Sequence, residues 1–260
     1  GKVHTYTQMR INEIIPYTDG TNFLTGEGEV IHIADFNCNT NMDIFDSSNR
    51  TIWNIDDGDA GESTFANDTA DAHHCNSVAT FAAGKDTGGS DNIPFFGVAP
   101  DADLVLSSIP NYEGSFKSDD YADDLDFARG KSAIASNQSW GITDAVDGNG
   151  NTTSHYDASE FQTFYDTHKG SNSLDTIAAV QFEGGSASAS KTAAFQEYIT
   201  ALDNFQNNGV IVFANGNYNG ESDASVMAGL PEFFSQLEEA WITVNLSDFT
   251  GSDLSSATES

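Results

Sequence analysis

Short apolar runs alternate along this chain with segments of helical periodicity, and that alternation limits the possible folds more than any other feature. Residues 30–36, VIHIADF, form a β-branched run that follows TGEGE and gives way to a polar stretch. Such a run is a buried strand, here ending at Asp35. Residues 73–84, HHCNSVATFAAG, put Val78, Ala79, Ala82 and Ala83 at helical spacing, with side chains small enough for close packing. GVAPDADLVLSSIP carries a second strand centred on residues 104–106, residues 117–131 suit an acidic amphipathic helix, and SAIASNQSWG supplies a third strand. TAAFQEYITALDNFQNNG is an amphipathic helix closed by Gly209, and GVIVFANGN is a fourth strand ending in a Gly/Asn turn. Near-continuous apolar strands alternating with helices predict a mostly parallel sheet with helices on both faces, a three-layer α/β fold. Residues 37–71 read as loop around a strand at IWNI, and residues 143–173, polar and Gly/Asn-rich at first, receive no element. Without repeats or low-complexity linkers, one domain over residues 1–260 is expected.

In open α/β sheets ligands bind beyond the carboxyl ends of the strands. Asp35, Ser139 with Gly141, and Asn217 stand at such ends, and His74 opens the helix expected beside them. Taken singly, Asp35 is an ordinary strand-terminal turn residue and His74 a helix-start histidine; their convergence makes a site. Charge narrows the partners. Nine Lys+Arg against forty Asp+Glu leave a formal charge of −31, which repels polyanions and argues against nucleic acid. Such a surface suits salty or extracellular conditions. No segment reaches the roughly 20 apolar residues of a membrane span. The opening GKVHTYTQ has no basic or apolar leader region, so any signal segment is expected to have been removed. Two cysteines, Cys38 and Cys75, form neither a framework nor a CxxC pair; one disulfide and two thiols are both open.

In order as well as kind, VIHIADF, HCNSVATFAAG, GVAPDADLVLSS and GVIVFANGN resemble the subtilase family of serine proteases, over about residues 26–247. SNQSWG is similar to the family's substrate-binding edge strand, and LPEFFSQLEEAWITVNLSD to the region after the oxyanion Asn in subtilases that are passengers of bacterial autotransporters. The resemblance implies a subtilisin-like fold and an Asp-His-Ser endopeptidase acting on protein or peptide substrates. Asp35 would orient His74, the general base, with His73 as the alternative base. Asn217, next to Gly216, would donate to the developing oxyanion, with Asn215 the weaker candidate; loss of one such donor costs about 3 kcal/mol, a value measured in subtilisin itself. Ser139, Trp140 and Gly141 would bind substrate backbone by strand addition.

The sequence also departs from the family. Phe36 and Asn37 follow Asp35 where small residues are usual, and Cys75 and Asn76 follow His74 in place of a Gly-Thr pair. Cys38 and Cys75 fall close after the Asp and the His, so a disulfide between them would brace the pair in an oxidising compartment, secreted or at the cell surface. The family's nucleophile lies in a Gly-Thr-Ser motif, and no such motif follows Asn217; Ser255, Ser256 and Ser260 sit in a polar stretch and are poor substitutes. The expectation is a fold incomplete at its C-terminal end and inactive alone, with a second chain or fragment carrying the Ser. Calcium is the implied cofactor, at the loop after the His helix, with Asp86, Asp91 and Asn92 as hard oxygen ligands. Two other readings compete: a catalytically inactive subtilase-like binding module, and a calcium-dependent acidic surface protein. Nucleotide binding fails because the TGEGE glycines precede their strand instead of following it.

Overall fold

Strand β1 (Val30–Asp35) runs through the middle of a seven-stranded sheet in the computed structural model, which describes residues 25–35, 45, 50–56, 59–60, 72–85, 97–108, 117–141, 157–183, 186–215 and 225–244. The other strands are β2 (Ile52–Asp56), β3 (Asp59–Ala60), β4 (Asp103–Ser108), β5 (Ala135–Gln138), β6 (Val210–Ala214) and β7 (Trp241–Val244). Their order across the sheet is β3-β2-β4-β1-β5-β6-β7, and every pairing is parallel except the short β2–β3 hairpin. The helices are α1 (Ala72–Ala83), α2 (Ser118–Gly130), α3 (Ala158–His168), α4 (Leu174–Glu183) and α5 (Ala189–Gln206).

Because successive strand residues face opposite ways, the sheet divides its core in two. Ile33, Leu104 and Leu106 pack with Cys75, Ala79 and Ala83 of α1. Ala34, Val105, Ile211 and Phe213 belong to the opposite layer, with Leu125 of α2 and Tyr198, Leu202 and Phe205 of α5. The expected three-layer α/β architecture is therefore present, and the face of β1 that carries Ile33 also carries Asp35.

Four of these elements escape the sequence pattern, the two-residue β3 among them. Helix α3 lies inside the stretch assigned no structure, and α4 follows directly after it. Asp157 starts α3 with a capping box, its side chain accepting from the Glu160 amide while Glu160 reaches back to the Asp157 amide. Yet α3 buries only Ala158 and Phe161 fully, too few for a periodic signal. Strand β7 is four residues long and largely exposed, so it lacks the apolar alternation of a core strand.

The junction of α5 with β6 depends on Gly209. A Cβ there would lie 2.6 Å from the Ile134 carbonyl oxygen and 2.9 Å from the Phe205 ring. Gly209→Ala is expected to destabilise the fold by about 1–3 kcal/mol through overpacking, read as a lower denaturant midpoint. Gly130→Ala, with no atom within 4 Å of the new Cβ, should not lower it.

Candidate active site

Asp35, the last residue of β1, is fully buried and lies on the face turned to α1. His74 stands in the first turn of α1 with its side chain 52% exposed. Its Nδ1 lies 2.8 Å from Asp35 Oδ1 and 2.9 Å from Oδ2. A carboxylate only accepts, so Nδ1 carries the hydrogen and Nε2 is left as the basic nitrogen. A buried acceptor thus fixes the tautomer of a half-exposed imidazole, the arrangement that lets a histidine take a proton from a hydroxyl. Of the alternative base His73, only its backbone within α1 is described.

Two contacts hold α1 against the sheet. Arg50 donates its guanidinium to the carbonyl of Ala83, closing the helix's C-terminus, and to that of Pro100 at 3.2 Å. Cys75 is fully buried, packs among the residues of the α1 layer and is disulfide-bonded. The chain's other cysteine, Cys38, lies outside the described residues.

β5 lies beside β1 with Gln138 in register with Ala34, so residues 139–141 leave the sheet next to Asp35. Ser139 Oγ accepts from Asn137 Nδ2 at 2.7 Å, and Gly141 is exposed. The Trp140 side chain turns inward instead: it is 7% exposed, packs against Tyr121 and Phe213, and donates its indole N–H to Gln138 Oε1 at 2.7 Å. Its indole anchors the segment and leaves the backbone and the neighbouring small residues to form a surface.

At the end of β6, Asn215 Oδ1 accepts from the Ser225 amide at 2.6 Å, and the Asn215 amide donates to Val244 at 2.8 Å. That side-chain oxygen is engaged in tying two backbone segments together. Gly216 and Asn217, like Asp86, Asp91 and Asn92, lie outside the described residues. Among the described residues no group of three or more His, Cys, Asp or Glu side chains is placed to hold a metal, and no helix is long and apolar enough to cross a membrane.

One residue of consequence was passed over in the sequence. His32 is fully buried on the opposite face of β1 from Asp35, its Nδ1 2.8 Å from Ser136 Oγ and its Nε2 2.6 Å from Ser107 Oγ. Burial lowers its pKa from 6.5 to about 3, so the ring is neutral. A histidine inside an otherwise apolar strand was the available signal, because such a side chain must find partners.

A parallel sheet that brings a strand-end Asp onto a helix-start His, with an edge segment beside them, has the form of a subtilisin-like peptidase domain. The profile of the subtilase family matches residues 26–260, and the chain belongs to that family. Among solved structures it is similar to the protease domain of PatA, with 18% identity, a TM-score of 0.49, and coverage of 86% of this chain and 60% of that one. It is also similar to the prenylagaramide maturation protease PagA (16% identity, TM-score 0.41, 78% and 50% covered). MycP1 with its N-terminal propeptide removed is a third (18%, 0.41, 85% and 50%). The chain thus spans 50% to 60% of the length of these proteins. No curated protein matches it.

Proposed function

We propose that this chain supplies the Asp-His pair and the oxyanion donor of a subtilisin-type serine endopeptidase that hydrolyses peptide bonds. The observation that carries the reading is the contact of His74 Nδ1 with the buried Asp35 carboxylate at 2.8 Å. The nucleophile is a serine in a Gly-Thr-Ser context outside these 260 residues, on a further stretch of polypeptide or a second chain. Its Oγ attacks the scissile carbonyl while its proton passes to His74 Nε2. The C–N bond then breaks, His74 returns that proton to the leaving amine, and water hydrolyses the acyl-enzyme by the same route. Asn217 donates its side-chain amide to the oxyanion, the role that the family resemblance gives it. The backbone of Ser139, Trp140 and Gly141 pairs with an extended substrate.

The bonded state of Cys75 favours an oxidising, extracellular setting and a Cys38–Cys75 bridge behind the Asp-His pair. Calcium at Asp86, Asp91 and Asn92 suits the same setting. Support for a further polypeptide comes from β7, whose Ile242 and Val244 stay about half exposed at the edge of the described sheet.

The test is intact-mass analysis of the purified protein with and without a fluorophosphonate probe. The expected result is a single label on a serine in a Gly-Thr-Ser context of the associated polypeptide, lost in His74→Ala. A lone unlabelled species with the mass of this chain would reject the peptidase reading in favour of an inactive binding module.

A further inference from the structure

Behind the Asp-His pair, on the other face of the sheet, runs a directed chain of buried hydrogen bonds. Its direction is fixed at one end. An indole N–H can only donate, so Gln138 must present Oε1 to Trp140 and its NH₂ to Ser136, 2.7 Å from Ser136 Oγ. Ser136 therefore accepts from Gln138, and the assignment that gives its own hydrogen a side-chain acceptor passes it to His32 Nδ1, leaving His32 Nε2–H to donate to Ser107. All five residues are at least 93% buried, with exposures of 0% for His32 and Ser136, 1% for Ser107, 3% for Gln138 and 7% for Trp140. The chain crosses β5, β1 and β4. It begins in the segment beside the active site and passes through the strand that ends in Asp35.

We propose that His32 is a positioning residue: its Nδ1 fixes Ser136 and Gln138 so that Gln138 Oε1 holds the Trp140 indole, setting residues 139–141 relative to Asp35. This rests on the reading of residues 139–141 as the substrate-binding edge. Without an acceptor at position 32 the Ser136 hydrogen has no side-chain partner, and the hydroxyl rotates toward the backbone to satisfy it. Its lone pairs then turn away from Gln138, whose NH₂ loses its acceptor, so the carboxamide that holds the Trp140 indole is no longer fixed. Buried donors without acceptors are costly, so the indole moves, and Ser139 and Gly141 move with it. The Asp35–His74 contact lies on the other face and is untouched.

The experiment uses the protein purified together with the polypeptide that bears its serine, and compares three variants. His32→Phe keeps a ring but removes both nitrogens. His32→Asn places an oxygen near Nδ1 and so preserves the arm to Ser136. Ser107→Ala removes only the far arm. The expected result is that His32→Phe shifts the Trp140 indole N–H resonance in a ¹⁵N spectrum and raises KM about tenfold for an extended peptide, the size of one net hydrogen bond. Turnover of a single-residue ester, which does not engage the edge strand, should be unchanged. His32→Asn and Ser107→Ala should keep the resonance and KM near those of the parent. An unmoved indole resonance in His32→Phe, or a moved resonance without a change in KM, would overturn the proposal. If the parent is inactive but the resonance responds as expected, the peptidase reading fails while the hydrogen-bond chain stands. If His32→Phe does not fold, Ser136→Ala cuts the same arm and is judged by the same criteria.

Discussion

Asp35→Asn is expected to lower kcat for peptide hydrolysis about 10⁴-fold with KM little changed, when assayed on the protein together with the serine-bearing polypeptide proposed above. The substitution keeps shape and burial. What it reverses is the hydrogen bond: a carboxamide NH₂ facing His74 Nδ1 donates where the carboxylate accepted. The imidazole answers by moving its hydrogen to Nε2, the nitrogen that must be free to take the serine proton, so the geometry survives while the base is lost. A 10⁴-fold loss corresponds to about 5.5 kcal/mol of transition-state stabilisation. His74→Ala should fall further, because losing the base itself costs more than losing the group that orients it. Thermal unfolding of Asp35→Asn close to that of the parent would show that the loss is chemical. A decrease of less than tenfold would mean that the 2.8 Å contact between these side chains serves the fold and not catalysis.

How much of this could be read from the sequence follows from where each signal resides. β1, β4 and β6 are parallel strands whose burial writes itself as a largely apolar run, whereas β5, ASNQ, is polar and was legible only through its place in the alternation. α1 and α5 pack broad faces on the sheet and show helical spacing. Helix α3 and strand β7 have little buried surface, so their sequences carry no comparable pattern. In the site, Asp35 and His74 were legible because a strand end and a helix start are local features whose convergence follows from the alternation. His32 was not. Its meaning depends on Ser107, 75 positions away, and Ser136, 104 positions away, which meet it only through the parallel register. Trp140 was legible as a member of the edge segment, but not that its indole faces inward, since that depends on Tyr121 and Phe213 on other elements.

The second large effect concerns acid. The pKa of His32 falls from 6.5 to about 3 on folding. Between those values the unfolded chain binds a proton that the folded chain does not, so stability rises with pH over this window. The contribution is complete above about pH 6.5 and is lost as the pH falls toward 3, at roughly 1.4 kcal/mol per pH unit. Three groups face His32 across a cavity of about 10 Å³: Asp124 and Tyr121 from α2, and Tyr198 from α5, whose phenol burial raises above its ordinary range. Asp124 is the carboxylate among them, and β4, β5 and the segment after β5 contribute neutral Ser107, Ser136, Gln138 and Trp140. The rest of the chain pulls the other way. With a formal charge of −31, protonating surface carboxylates relieves self-repulsion and should stabilise the compact state on mild acidification. The informative quantity is therefore the denaturant-derived stability of the parent minus that of His32→Phe, measured from pH 7 to pH 4. It is expected to be flat above about pH 6.5 and to fall with the stated slope below. A difference flat throughout would mean that the native ring takes up its proton as readily as the unfolded one. A doubly protonated ring has no lone pair for Ser136, so the directed chain from Trp140 to Ser107 could not then persist in acid.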